Sequence, residues 1–246
     1  GPAGEVVDAI RAMGGEAVAN GSDVADWEGA QALIATAVDT FGGLDVLVNN
    51  AGFLRDRMLF SSGEDEWDAV IRVHLKGHFA PARFASAYWR EQSKDGVAVS
   101  GRIINTSSGA GLMGSVGQGA YSAAKAGIAA MTLVQSAEMA RYGVTANAIA
   151  PAARTRMTES TPGLSDVVKK PEDAAKFDAW NPANVSPMVA YLATADCPFT
   201  GEAFLVQGDT VQRFQPWKLA EKITNNEERW TVAQLQAAAP EGLAKR

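Results

Sequence analysis

Cysteine is almost missing: Cys197 stands alone among 246 residues. That excludes an intrachain disulfide and accords with a reducing compartment. The plainest reading of Cys197 is a small buried hydrophobe. Histidine is nearly as scarce, with only His74 and His78. These are too few ligands for a zinc site, and no metal is expected. Positive charge is not in excess: 22 Lys and Arg against 28 Asp and Glu leave a net charge of −6. Nucleic acid, which needs a basic surface, is therefore not an expected partner. No apolar run is long enough to span a bilayer and no secretory leader pattern is visible, so no membrane partner is expected either. What is present is a globular balance, 47% hydrophobic and 20% charged, in a chain long enough for a full core.

One stretch organises the rest. Arg102-Ile-Ile-Asn-Thr106 is short, apolar and β-branched and predicts a buried parallel strand. A Ser-Ser-Gly turn follows, then an Ala-rich helix expected from about Gln118 to Tyr142. That helix carries Tyr121 and Lys125, one turn apart on a single face. Alone, such a pair reads as a half-buried phenol beside a solvated lysine. Ser108 on the turn, and Asn49-Asn-Ala-Gly52 upstream, reverse that balance.

In chain order, Ala3–Met13 has apolar residues at helical spacing, and Gly14-Gly15 ends it. Glu16–Asn20 is a short strand candidate. Asp26 is a suitable N-cap for a helix to Phe41, and Leu44–Asn49 is the next strand. A helix is expected over Glu64–Gln92, capped by Ser61-Ser62, with His74 on its apolar stripe. Val144–Ile149 and Glu202–Val206 are further strands. The helix over Asn181–Ala195 contains Pro187, either as a kink or as its true start. This alternation predicts an α/β fold: a doubly wound parallel sheet with helices on both faces and right-handed crossovers. Thr158–Ala179 is polar and Pro-punctuated, as a substrate lid or a passive surface excursion would be. Asn49–Gly52 ends a strand in small residues that let a ligand approach the backbone; an ordinary Asn-Gly turn explains the same letters.

Ser108, Tyr121-Ser-Ala-Ala-Lys125 and Leu47-Val-Asn-Asn-Ala-Gly52 resemble the short-chain dehydrogenase/reductase family, over about Glu16–Gly208. The resemblance implies a Rossmann-like sheet, a nicotinamide cofactor (NAD or NADP) and catalysis by Ser108, Tyr121 and Lys125. Tyr121 would be the base, Ser108 would hold the substrate oxygen, and Lys125 would favour phenolate and hold the nicotinamide ribose. His74 stands where the family most often has Asn in its proton relay. The resemblance also places Asn49, Ala51 and Gly52, with Pro151 and Thr155, beside the cofactor. It places Asp23 and Val24 near the adenine, although Asp23 reads equally as a solvated turn carboxylate.

A narrower likeness lies within that family. Leu54-Arg-Asp-Arg57, Glu64-Asp-Glu-Trp-Asp68, Val73-His-Leu-Lys-Gly77 and the Pro151–Thr158 loop resemble the (3R)-hydroxyacyl-CoA dehydrogenase domains of peroxisomal multifunctional β-oxidation enzymes. This favours NAD and implies an acyl-CoA or steroid-like secondary alcohol as partner. Arg55, Arg57, Arg154 and Arg156 are then candidates to meet CoA phosphates or, equally, ordinary surface charges. A ketoacyl reductase of the same family and a non-catalytic dehydrogenase-like scaffold are the alternatives. A homodimer or homotetramer built on Glu64–Gln92 and Gln118–Tyr142 is expected. The expected location is cytoplasmic, peroxisomal only for a chain that is part of a larger eukaryotic enzyme. Residues 1–208 would form the dinucleotide-binding and catalytic domain, and 209–246 an aromatic-rich extension docked on it or on a neighbour. The family's opening strand and TGxxxGxG turn, which sets a helix N-terminus against the pyrophosphate, have no counterpart in the sequence. The expectation is that a first strand–helix–strand unit belongs to the natural protein and is lacking from this chain.

Overall fold

The computed structural model of the chain describes residues 1–159, 165–173 and 175–243. Helix α1 (Pro2–Ala12) comes first and buries Val7. Asp26 caps α2 (Trp27–Phe41), its carboxylate accepting from the Gly29 N–H at 2.8 Å. Strand β1 (Val46–Asn49) leads to α3 (Glu64–Ile71), a π-helical turn over Arg72–Lys76, and α4 (Gly77–Lys94). Then come β2 (Gly101–Thr106), the short α5 (Gly109–Met113) and the long α6 (Gly119–Met139). Strand β3 (Val144–Ala152), α7 (Arg156–Glu159), α8 (Ser186–Ala193) and the hairpin β4 (Ala203–Gln207) and β5 (Thr210–Arg213) follow. Helix α9 (Val232–Gly242) comes last, with Thr231 accepting from the Gln234 N–H.

The sheet runs β1-β2-β3-β4-β5, parallel through β4 and antiparallel at β5. Strand β2 lies inside it and is buried along its whole length. Its neighbouring isoleucines point to opposite faces, as the two-residue period requires. Ile103 joins Ala30, Ile34, Ala85 and Trp89 on one face, and Ile104 joins Met188, Leu192, Cys197 and Phe204 on the other. Helices thus cover both faces, which is the doubly wound arrangement. Arg102 is also buried; its guanidinium donates to the carbonyls of Thr194 and Ala195 at 3.0 and 2.9 Å, just past the end of α8. Among the described residues no helix is long and apolar enough to cross a membrane.

Several local expectations are corrected. Glu16–Asn20 is not a strand. Its backbone has no ladder beside it, and side-chain contacts take over: Arg11 donates to the Ala17 carbonyl and the Asn20 amide to Thr36. The helix expected over Glu64–Gln92 is interrupted by the π-turn that carries His74. Its first part is capped at Gly63, whose N–H donates to the Glu66 carboxylate at 3.1 Å. Ser61 and Ser62 turn back to the Met58 carbonyl instead. Pro187 marks the true start of α8, in the first turn where its missing N–H is harmless.

The chain forms two compact units, Gly1–Phe214 and Gln215–Arg246. The first takes in β5, which the sequence reading does not foresee. Within the second, Ile223 lies against Gly242 of α9, and Trp217 is fully open to solvent.

Asn105 ties three elements together. From β2, its amide donates to Thr132 and Gln135 of α6 at 2.9 and 2.8 Å, and its carbonyl accepts from Asn49 of β1 at 3.0 Å. Replacing Asn105 by Leu removes all three bonds and leaves Asn49 and Thr132 with one remaining partner each in the core. The expected loss is about 3 kcal/mol, or roughly 6–12 °C in Tm, as read by thermal melting.

Candidate active site

The parallel strands end on one side of the sheet, and the candidate residues gather around the end of β2. After Thr106 the chain turns through Ser107 and Ser108. Ser107 is buried and donates to the Lys125 carbonyl at 2.8 Å. Ser108 caps α5, its hydroxyl accepting from the Ala110 N–H at 3.2 Å. Helix α6 returns close by because Gly111 lets it: a Cβ there would lie 2.6 Å from the Ala126 nitrogen. That approach buries Lys125 to 2% exposure, with its ammonium donating to the Thr106 carbonyl at 2.6 Å.

Tyr121 lies one turn earlier, its phenol near enough to Ser108 for that hydroxyl to favour the phenolate. The Lys125 nitrogen is 5.6 Å from the phenol ring centre. The His74 ring meets Tyr121 edge to face at 5.2 Å. The four residues expected to act together are thus brought together. His74 reaches this place from the π-turn, with Gly52 giving it room: a Cβ on Gly52 would sit 2.2 Å from the imidazole. The His74 Nε2 faces the Phe53 backbone, 3.0 Å from its N–H and 2.7 Å from its carbonyl, while Nδ1 is buried without a partner among the described residues.

Burial dominates the electrostatics. It pushes the Lys125 amine down to about 7. It lowers His74 to about 4, helped by the Lys125 charge and opposed by the Phe53 backbone. His78 falls to about 3, again chiefly by burial. The Tyr121 phenol is raised by burial; Ser108 pulls it back and the Asp56 charge raises it further. The expected lowering of the phenol by Lys125 is therefore not seen: only Ser108 pulls it down.

The remaining candidates divide. Asn49 does not offer its side chain to a ligand: it is buried, and its amide donates to Asn105 and to the His78 carbonyl. Ala51 and Gly52 are exposed at the end of β1, and Asn50 accepts from Thr106 at 3.0 Å. Asp23 is a half-exposed carboxylate paired with Arg72 at 2.5 Å and bonded to the Ala25 N–H, both of which lower its pKa. Val24 packs against Gly77. Pro151 lies in β3 opposite Val206. Thr155 precedes α7 and exchanges hydrogen bonds with Thr158.

Arg154 is not free for a phosphate. Its guanidinium holds Asp178 through both nitrogens and the Val168 carbonyl at 2.9 Å. That ties part of the expected lid to the end of β3. Residues 160–164 and 174 of the Thr158–Ala179 stretch lie outside the described residues. Arg57 pairs with Glu66 and Arg55 stacks on Phe53; Arg156 remains exposed. Asp56 and His78 are neighbours that motif reading does not assign. Asp56 lies inside the Leu54–Arg57 stretch already singled out, and only the fold shows where its carboxylate goes.

The sequence profile of the short chain dehydrogenase family matches residues 1–163. The chain is 44% identical to hydroxyacyl-CoA dehydrogenase ChsB1 of Mycobacterium tuberculosis, across 99% of this chain and 78% of that protein. It is 42% identical to peroxisomal multifunctional enzyme type 2 of Drosophila melanogaster, across 80% of this chain and 30% of that one. A solved short chain dehydrogenase from Mycobacterium avium superposes with a TM-score of 0.88 at 58% identity, over 98% of this chain and 79% of that one.

His74 and His78 are both held neutral, well below their ordinary 6.5. The unfolded chain therefore binds more protons as the pH falls below 6.5, and stability is lost through that window. Between pH 7 and 5 the two rings together cost on the order of 4 kcal/mol. Urea melts at the two pH values check this, and His78→Leu should remove about half of the extra loss. An identical pH response in the variant would show that the ring is not desolvated.

Proposed function

The chain belongs to the short-chain dehydrogenase/reductase family, oxidoreductases that use nicotinamide cofactors, and we propose that it oxidises the secondary alcohol of a 3-hydroxyacyl-CoA with NAD. The observation that carries the reaction type is the convergence of Ser108, Tyr121 and Lys125 at the end of β2. The substrate class rests on likeness to a hydroxyacyl-CoA dehydrogenase along almost the whole chain. The choice of NAD rests on the narrower resemblance through Leu54–Arg57 and Pro151–Thr158.

The residues present suit the cofactor. Ala51 and Gly52 offer exposed backbone with little side chain, and Lys125 supplies a sheathed amine for a ribose. Asp23 and Val24 would serve the adenine end, and Pro151 and Thr155 the nicotinamide end. When bound, the oxidised nicotinamide supplies positive charge and accepts the hydride. Tyr121 takes the hydroxyl proton of the substrate as its carbon gives up hydride, leaving a ketone. Ser108 holds the substrate oxygen against the phenol. Read backwards, the same groups protonate a ketone during reduction. Exposed Trp67 and Phe79, with Leu133 and Val134 on α6, supply the surface for a homodimer or homotetramer.

Tyr121→Phe should keep the fold and lower kcat by roughly 100- to 10,000-fold. Near-normal turnover by a correctly melting variant would remove Tyr121 as the base. The substrate class has its own check. 3-Hydroxyacyl-CoA oxidation should exceed that of small free secondary alcohols in kcat/KM by several orders of magnitude, because remote binding energy is used at the reacting carbon. Equal efficiency would sink the acyl-CoA reading and leave the dehydrogenase one standing.

A further inference from the structure

Asp56 lies in the loop after β1, outside every motif residue given a role above. Its Oδ2 accepts from the Gln118 side-chain amide at 3.0 Å. Next to it the Arg57 N–H donates to the Gly117 carbonyl at 2.8 Å, and Arg57 and Gln118 form a parallel bridge. The loop is thus clamped, by side chain and backbone together, to the residue that caps α6. Gln118 in turn accepts from the Ser122 N–H at 2.7 Å and stands one turn ahead of Tyr121. The second carboxylate oxygen, Oδ1, is sealed from water and has no hydrogen-bond partner among the described residues. A carboxylate oxygen in that state is costly, and a neutral amide would satisfy Gln118 as well. The charge therefore calls for a role beyond the clamp.

We infer that Asp56 is a positioning residue for Tyr121, holding the first turn of α6 through Gln118 and acting on the phenol by the charge of its half-buried carboxylate. This rests on the reading of Tyr121 as the base. The other groups facing the phenol are few. Ser108 comes from α5, neutral His74 from the π-turn, and Lys125 from α6 itself. The nearby Arg57 is already engaged with Glu66 at 3.1 Å. Asp56 is the anion among them, and its charge favours the protonated phenol. It opposes premature ionisation, so that phenolate forms only when positive charge is brought beside it.

The test is the pH profile of kcat/KM for 3-hydroxyacyl-CoA oxidation with saturating NAD. Asp56→Asn keeps an acceptor for Gln118 and removes the charge. The limb belonging to Tyr121 should move to lower pH by on the order of one unit. Gln118→Leu breaks the clamp and keeps the charge. It should lower kcat roughly tenfold, change KM little and leave the limb in place. A profile for Asp56→Asn that superimposes on the parent, or a Gln118→Leu enzyme with unchanged kcat, overturns the inference. Tyr121→Phe separates the two levels. If it remains active, the base assignment itself has failed. If it is dead while the Asp56→Asn limb stays put, only the role of Asp56 has failed.

Discussion

Burying the amine of Lys125 is the most demanding arrangement in this structure, and much of the rest follows from it. A desolvated ammonium needs a partner, and here it finds the Thr106 carbonyl at 2.6 Å. That carbonyl lies within reach only if α6 is pressed against the end of β2. Gly111 permits the approach, Ser107 fixes the Lys125 carbonyl, and Asn105 ties the next two turns of the helix through Thr132 and Gln135. These contacts hold α6 against β2 and the turn and short helix that follow it. The helix therefore has one rotational setting, and that setting points Tyr121 toward Ser108.

The same packing carries a cost that a stability-optimised protein would avoid. His74, His78 and Lys125 are all buried and all shifted away from their charged forms. Apolar side chains of similar size would spare the chain that desolvation. Such a concentration of perturbed groups in one place is characteristic of sites where chemistry, rather than packing, decides which residue is present. The π-turn belongs to the same account. Its extra residue per turn interrupts a helix that would otherwise run on regularly, and in exchange His74 faces the phenol.

How much of this could be read from the letters depends on the range of each interaction. Strands β2 and β3 and the helix α6 were legible because apolar period, small residues and turns are local signals. The convergence of Ser108, Tyr121 and Lys125 was legible because Tyr121 and Lys125 share a helix face and Ser108 lies on the turn after the preceding strand. Glu16–Asn20 misled because a strand is defined by its neighbour, and a short apolar run does not reveal whether one stands beside it. Arg154 stayed open between a phosphate and a surface charge for a similar reason: its partner Asp178 lies far along the chain, and nothing near Arg154 announces the pairing. Asn49 was placed correctly at the end of β1, but which way its amide turns is decided by Asn105, on the next strand. Asp56 was invisible as a separate residue because its meaning lies in Gln118, across a loop from it.

On the proposed role of Tyr121 as the base, these contacts explain how a phenol can be at once a base and, at rest, an acid. Burial favours the neutral form of Tyr121, and so does the anion of Asp56; Ser108 alone pulls toward phenolate. Lys125, brought down to about 7 by the same burial, is a weak source of compensating charge on its own. A phenol in those surroundings holds its proton against solvent. A group poised in this way becomes a base only when a further positive charge enters a space of low dielectric, where its effect is large. In the proposed reaction, proton transfer is then tied to the arrival of the cofactor, proposed above to lie beside Ala51 and Gly52. The resting chain is protected from carrying an exposed phenolate, and the electrostatic work is concentrated at the moment when hydride has somewhere to go.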